Sequence, residues 1–252
     1  MRFSLQQFTA VFDLRDAEGK PYVIIGGQAV NYWAETYLAK EPGLAQWMPF
    51  TSKDIDFQGG RDDVLRIAKV LGVRAQLPDS REMTALAGII PFEIGDLRTS
   101  IEVVRSFPGM PKAKLDQWAL TAKRGGKKIR VLDPLSLLDS KLHLALKVDQ
   151  KERRDVEHLR IMLLCVRAFL RETLHGVEAG SLPKRGWLGA LERVLKLAES
   201  SRGMRATRTL QVDWTEALPL AEIAASPHPA AKGFRQKRLV QWQGKLGRPM
   251  LA

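Results

Sequence analysis

Two stretches, Tyr22-Val23-Ile24-Ile25-Gly26-Gly27-Gln28 and Thr51-Ser52-Lys53-Asp54-Ile55-Asp56-Phe57, decide the fold of this chain. The first is a short apolar run that ends in two glycines, after which apolar residues recur at helical spacing. The second alternates acidic and apolar residues, which is typical of a strand with one buried face. We therefore predict a buried strand, a glycine turn that opens a helix, and a second strand that carries two carboxylates.

The paired acids of the second stretch predict a cation site. Residues two apart on a strand project from the same face, so Asp54 and Asp56 are expected side by side, with Ile55 and Phe57 facing the core. Neighbouring carboxylates repel each other unless a proton or a cation relieves them. Mg²⁺ is usually bound by one or two carboxylates together with substrate phosphates.

The glycines add a second part to the predicted site. Gly26 and Gly27 stand where a strand passes into a helix, and their small size would let backbone N–H groups approach a phosphate. Taken alone, a Gly-Gly pair is usually only a turn, and an Asp-x-Asp pair is usually a solvated strand face. Their order along the chain favours metal-assisted phosphoryl or nucleotidyl transfer.

Composition limits the class of protein. The 252 residues, 45% of them hydrophobic, suffice for one large domain or two modest ones. No apolar run approaches the roughly 20 residues of a membrane span, and no signal peptide is evident, so a cytoplasmic protein without membrane association is expected. The single cysteine, Cys165, excludes an internal disulfide and fits a reducing compartment.

Charge is distributed unevenly along the chain. Residues 1–104 contain 11 Lys and Arg against 14 Asp and Glu, a net charge of −3, whereas the remainder contains 29 against 14, a net charge of +15. A basic half beside an acidic site suggests a polyanionic partner, most simply RNA. A basic but merely solvated surface is the alternative.

The pattern of elements predicts an α+β chain. Strands and helices alternate up to residue 132, with hairpins at Gly95-Asp96 and Gly125-Gly126, after an amphipathic helix at 4–14. From Asp133, a suitable N-cap followed by proline, the pattern is helical. We expect a catalytic domain over 1–132 with a mixed sheet and flanking helices, and a basic helical domain over 133–252 that completes the active site.

The motifs together resemble the nucleotidyltransferase superfamily. The resemblance is greatest to the AbiEii/MenT-type branch, known as toxins of bacterial toxin–antitoxin and phage-defence systems. That branch has Gly-Gly and then Arg-x-Thr-x-Asp-x-Asp; in this chain Phe50 stands at the Arg position and Ser52 at the Thr position. A Lys on one helix and an Arg-Asp pair opening the next are matched by Lys141 and Asp155.

The resemblance implies a third acid and a set of nucleotide-binding residues. Glu102, on a predicted strand and on the face opposite Ile101 and Val103, is the best candidate for the acid, and Glu93 on the partner strand is its rival. Asp54, Asp56 and Glu102 would then be catalytic and metal-binding, and Asp155 would support Lys141. The nucleotide-binding residues implied are Gly26, Gly27, Ser52, Lys53 and Lys141.

The predicted activity is transfer of a nucleoside monophosphate from an NTP to an acceptor hydroxyl, dependent on Mg²⁺ or Mn²⁺. The resemblance implies tRNA or another RNA end as acceptor, a toxin-like role and a cognate antitoxin protein. Two alternatives stay open. One is an enzyme of the same kind acting on a small molecule or a protein hydroxyl, and the other is a non-catalytic module that binds RNA or a partner protein.

Overall fold

The computed structural model describes residues 1–79, 81–106, 112–151 and 153–245. The chain divides into two compact units, Met1–Met162 and Leu163–Ala252, called here the first and second units. The division falls within one long helix, so the functional division at residue 132 stays a prediction. None of the helices within the described ranges is long and apolar enough to cross a membrane.

A mixed six-stranded sheet forms the centre of the first unit, in the order β3-β4-β2-β1-β6-β5. β1 pairs in parallel with β6 and antiparallel with β2, and β2 pairs in parallel with β4. β3–β4 and β5–β6 are the two predicted hairpins. The strands are β1 Val23–Ile25, β2 Ile55–Gln58, β3 Leu86–Ile94, β4 Leu97–Val104, β5 Ala119–Arg124 and β6 Lys127–Leu132.

The register between β2 and β4 separates an apolar face from an acidic one. Ile55 pairs with Ile101 and Phe57 pairs with Val103, and all four side chains are buried. The intervening pair is Asp56 with Glu102. Because alternate residues of a strand face opposite sides, the two acids share the face that the apolar pairs do not use.

In the described part of the chain, four α-helices precede the long helix. They are α1 Gly26–Tyr37, α2 Arg61–Leu71, α3 Lys112–Trp118 and α4 Pro134–Lys147. As predicted, Asp133 caps α4, its carboxylate accepting hydrogen bonds from the backbone N–H groups of Leu135 and Ser136, 3.1 Å each. The N-terminal segment, predicted as an amphipathic helix, forms a 3-10 helix over Leu5–Asp13 instead.

The long helix α5, Asp155–Glu178, begins in the first unit, and helices also form the rest of the second unit as far as it is described, to Lys245. The buried indoles of Trp187, Trp214 and Trp242 are among the largest side chains of its core. The further α-helices are α6 Lys184–Glu199, α7 Ser201–Leu210, α8 Leu220–Ala225, α9 Pro229–Gly233 and α10 Val240–Lys245; Trp214–Ala217 is a 3-10 turn and Phe234–Leu239 a π-helical segment. Residues 246–252 of the predicted helical domain lie outside the described residues.

The predicted fold class is confirmed. The chain is α+β, with a mixed sheet, flanking helices and a helical C-terminal region.

Candidate active site

The passage from β1 into α1 lies directly against the acid pair. Gly26 has φ +64°, and a Cβ there would lie 2.5 Å from Asp56 Cγ and closer still to Oδ2. A Cβ on Gly27 would lie 2.5 Å from Ser52 Oγ. The backbone N–H of Gly27 also donates a hydrogen bond to the Asp56 carboxylate. The two glycines therefore bring a helix N-terminus against an acidic side chain, an approach that side chains would block.

Three carboxylates lie in this region, two on strands of the sheet and one just before β2. Asp56 lies on β2 and Glu102 directly beside it on β4. Asp54 was predicted on the same strand, but it precedes β2 in a turn, where its Oδ1 accepts a hydrogen bond of 3.2 Å from the hydroxyl of Ser52. The strand pairing of Ser52 with Phe3 is an isolated bridge, so the regular ladder begins only at Ile55.

Burial and neighbouring negative charge raise the pKa of two of these acids. Burial, followed by the charges of Asp54 and Glu102, holds the pKa of Asp56 well above its usual range; Lys141 and the Gly27 N–H act in the opposite direction. Burial and the charge of Asp54 likewise raise the pKa of Glu102, while Arg153 lowers it. Excess negative charge in a partly dry site is the condition that a bound cation relieves.

The donor set fits a hard divalent cation that shares its ligands with substrate. Within the described parts of the chain, no three acid, histidine or cysteine side chains are gathered closely enough to enclose a metal ion by themselves. Oxygen donors from two carboxylates, with phosphate oxygens and water completing the shell, are the usual arrangement for Mg²⁺. Asp54, Asp56 and Glu102 can supply such oxygens; they do not form a closed protein cage.

Two cations hold a buried acid beside these carboxylates. Lys141 Nζ lies 2.9 Å from Asp155 Oδ1, and the two side chains are only 5% and 2% exposed. Arg153 Nε lies 2.6 Å from the other oxygen of Asp155, with 45% of the arginine side chain exposed. Burial opposes ionisation, but the two cations and their hydrogen bonds outweigh it, so the pKa of Asp155 is lowered. The predicted association of Lys141 with Asp155 is thus present as a buried ion pair.

His158 is a neighbour that the sequence did not single out. It lies one turn into α5 and is 6% exposed. Burial, followed by the charge of Lys141, lowers its pKa well below the ordinary value, so the imidazole is neutral. Its Nδ1 has no hydrogen-bond partner among the described residues. A Cβ on Gly27 would lie 3.5 Å from His158 Cε1, which places the ring next to the glycine turn.

The N-terminal segment fixes the position of Ser52. Phe3 and Ser52 exchange two backbone hydrogen bonds, 2.7 and 2.9 Å long. The carbonyl of Phe3 also accepts a 3.0 Å hydrogen bond from the buried side chain of Gln28, which in turn accepts from Asn31. Ser52, which lies next to both Gly27 and Asp54, is therefore held in place by Phe3, and Phe3 is held in turn by Gln28 of α1.

The other residues named in the sequence analysis, Lys53, Phe50 and Glu93, differ in exposure and in the contacts that they make. Lys53 is exposed, and its backbone carbonyl accepts a 2.6 Å hydrogen bond from Thr99. Phe50, at the position where the resembled branch has Arg, is buried with 6% exposure and supplies an apolar side chain. Glu93 pairs with the exposed Arg98 across the β3–β4 hairpin, so Glu102 and not Glu93 lies beside Asp56.

Comparisons with known proteins give only distant similarities. No protein-family model and no curated protein matches the chain. Among solved structures, an antigenic nucleotidyltransferase-like protein from Paracoccidioides brasiliensis is 17% identical, with a TM-score of 0.44 over 65% of this chain and 78% of that one. JHP933 from Helicobacter pylori is 13% identical, with a TM-score of 0.27 over 88% of this chain and 98% of that one. At these values neither similarity assigns a fold or a function here.

The sequence analysis did not identify two residues that lie near the site, Arg153 and His158. Arg153 stands two residues before Asp155, ahead of the first residue of α5, and its Nε contacts that carboxylate. His158 stands three residues after Asp155, so one helical turn places both on the same face. The helical spacing was visible in the sequence, but the burial that makes the imidazole neutral was not.

Proposed function

We propose that the chain is a metal-dependent nucleotidyltransferase that moves a nucleoside monophosphate from an NTP to an acceptor hydroxyl and releases pyrophosphate. The observation that carries the proposal is the register of β2 and β4, which pairs Asp56 with Glu102 beside Asp54. Burial, followed by repulsion between the carboxylates, raises the pKa of Asp56 and of Glu102. A site of this kind gains stability from a cation brought in with a triphosphate.

Each residue has a defined task in this proposal. Asp54 and Asp56 bind Mg²⁺ or Mn²⁺, which when bound neutralises charge on the phosphate oxygens. Glu102, whose pKa is raised, accepts the proton of the acceptor hydroxyl. Lys141, held by Asp155, supplies positive charge next to Asp56.

The glycine turn sets the geometry of the acid site. The Gly27 N–H fixes the Asp56 carboxylate, and the Ser52 hydroxyl fixes Asp54. We also propose that Gly26, Gly27, Ser52 and Lys53 line the path of the triphosphate, since all four lie at the same end of β1 and β2. Held carboxylates lower the cost of ordering the site when substrate binds.

We propose an RNA end as the acceptor, tRNA among the candidates. The net charge of +15 after residue 104 supports a polyanionic acceptor. A toxin-like role with a cognate antitoxin is proposed on the resemblance of the motifs alone. It predicts that expression of the wild-type chain arrests bacterial growth and that expression of the Asp54→Ala variant does not.

The test is transfer of label from each of the four α-labelled NTPs, with Mg²⁺, to total RNA. Label on RNA that is lost in the Asp54→Ala variant supports the proposal. Label on a protein or a small molecule would keep the nucleotidyltransferase and change the acceptor. Absence of any transfer, with RNA still bound, would identify a binding module and refute the enzymatic proposal.

A further inference from the structure

The half-exposed guanidinium of Arg153 differs from the other cation of the site in its accessibility. Lys141 is 5% exposed and its ammonium group is engaged by Asp155. Arg153 is 45% exposed and approaches the same carboxylate from the other side. A substrate that enters from solvent therefore meets Arg153 more readily than Lys141.

Most of the hydrogen-bonding capacity of Arg153 is uncommitted. A guanidinium has five N–H donors in a planar fork. Among the residues that the structure describes, Nε of Arg153 donates to Asp155 Oδ2 at 2.6 Å, and its Nη groups have no hydrogen-bond partner. One edge of the side chain is thus anchored, and the other edge is left to an incoming ligand.

The field at that free edge is set by the acids of the site. Burial lowers the pKa of Arg153, but the hydrogen bond and charge of Asp155 outweigh it, and the charges of Asp56 and Asp54 add to the rise. Arg153 in turn lowers the pKa of Glu102. The guanidinium therefore lies within electrostatic reach of all three carboxylates of the candidate metal site.

We propose that Arg153 binds the phosphate groups of the substrate through its free Nη edge, while Asp155 holds its Nε edge. This inference rests on the proposed function and adds to it a residue that determines affinity for the triphosphate. A guanidinium fork matches two phosphate oxygens at once, which a lysine ammonium cannot do. The anchoring by Asp155 lowers the entropy that the side chain loses when it binds.

The same geometry assigns a different task to Lys141. Its buried ammonium balances the charge of Asp155, so Asp155 keeps a charged partner while the free edge of Arg153 binds a phosphate. Asp155 therefore positions both cations, and Arg153 is the one that touches substrate.

The inference is tested by equilibrium binding to the full-length chain with Mg²⁺ present. Calorimetric titrations use each of the four NTPs, the matching monophosphates, and inorganic tripolyphosphate as a probe without a base. Arg153→Gln is expected to weaken binding of NTP and tripolyphosphate about 10- to 100-fold. Arg153→Lys, which keeps the charge and loses the fork, is expected to recover part of that loss. Arg98→Gln, which removes a positive charge at a 91% exposed position, is the matched control and is expected to change nothing.

The outcomes separate this inference from the proposed function. Wild-type protein that binds no NTP and no tripolyphosphate would overturn both. Wild-type protein that binds NTP only as tightly as the Arg153→Gln variant would overturn the role of Arg153 alone. An Arg153→Gln variant that loses monophosphate and triphosphate affinity equally would also overturn it, because a phosphate-binding role predicts a selective loss for the triphosphate. If Arg153→Gln fails to fold, Arg153→Lys carries the same comparison.

Discussion

Replacing Gly26 by alanine is expected to destabilise the first unit by about 2–5 kcal/mol and to displace the Asp56 carboxylate. The left-handed conformation at φ +64° costs a residue with a Cβ about 1–2 kcal/mol. The added methyl would lie 2.5 Å from Asp56 Cγ and closer still to Oδ2, and overpacking of this kind costs about 1–3 kcal/mol. The expected range is the sum of these two contributions.

The chain contains a matched control for the backbone contribution. Gly95 has φ +58° in the β3–β4 turn, and a Cβ there would meet nothing within 4 Å. Gly95→Ala is therefore expected to cost about 1–2 kcal/mol, because only the backbone strain applies. The additional loss of unfolding free energy in Gly26→Ala, compared with Gly95→Ala, measures the contribution of the close approach of Asp56.

A double-mutant cycle assigns that excess to one side chain. Asp56→Ala removes the carboxylate and leaves Asp56 Cβ, 3.0 Å from the position of the added methyl, as the nearest atom of that side chain. In this background the cost of Gly26→Ala is expected to fall towards that of Gly95→Ala. The measurements are urea unfolding of the full chain and hydrogen exchange of the backbone amides of β1 and α1. If Gly26→Ala and Gly95→Ala cost the same within about 0.5 kcal/mol, the proposed role of the glycine would be refuted.

Three further predictions concern the charges of the site. Asp56→Asn is expected to raise the free energy of unfolding at neutral pH by on the order of 1 kcal/mol, which is the energy of two unit charges about 4 Å apart in water. The same substitution is expected to abolish nucleotidyl transfer. A urea midpoint lower than that of the wild type would contradict the stability prediction. Because the folded-state pKa values of Asp56 and Glu102 are raised, their contribution to stability is present below their ordinary pKa values and is lost as the pH rises through the raised ones. In thermal melts, the stability of the wild type relative to the Asp56→Asn, Glu102→Gln double variant should therefore fall as the pH rises. Mg²⁺ should reduce the difference in stability between the two proteins at neutral pH. A difference that does not change with pH would contradict this prediction. Asp155→Asn leaves the Lys141 ammonium buried without its partner charge and is expected to cost about 3–5 kcal/mol in urea unfolding, whereas a cost below about 1 kcal/mol would show that the ion pair is not buried as described.

The elements that follow from local rules were predictable from the sequence. Asp133 before Pro134 indicated the start of α4, and the paired glycines at 125 and 126 indicated a hairpin. The apolar run into Gly26 indicated β1 and α1, because a strand and a helix differ in the period of their apolar residues. Each of these signals lies within a few residues of the structure that it determines.

The features that depend on contacts between residues far apart in the sequence were harder to predict from local sequence patterns. The choice of Glu102 over Glu93 depends on the parallel register of β2 with β4, which strands so far apart in the sequence do not reveal locally. The anchoring of Ser52 by Phe3 and Gln28 joins three separate segments, and no local pattern indicates it. Asp54 was expected on the same strand as Asp56, because alternation alone cannot show where a hydrogen-bonded ladder begins.

The most direct test of the central claim is to measure pyrophosphate release together with nucleotide attachment in one reaction. Wild-type protein, Mg²⁺, RNA and an α-labelled NTP should yield pyrophosphate and attached label in equal amounts. The Asp54→Ala variant, folded to the same extent by circular dichroism, should yield neither. Release of pyrophosphate by the Asp54→Ala variant at the wild-type rate, or its absence from the wild-type reaction with all four NTPs, would contradict the assignment of these acids to nucleotidyl transfer.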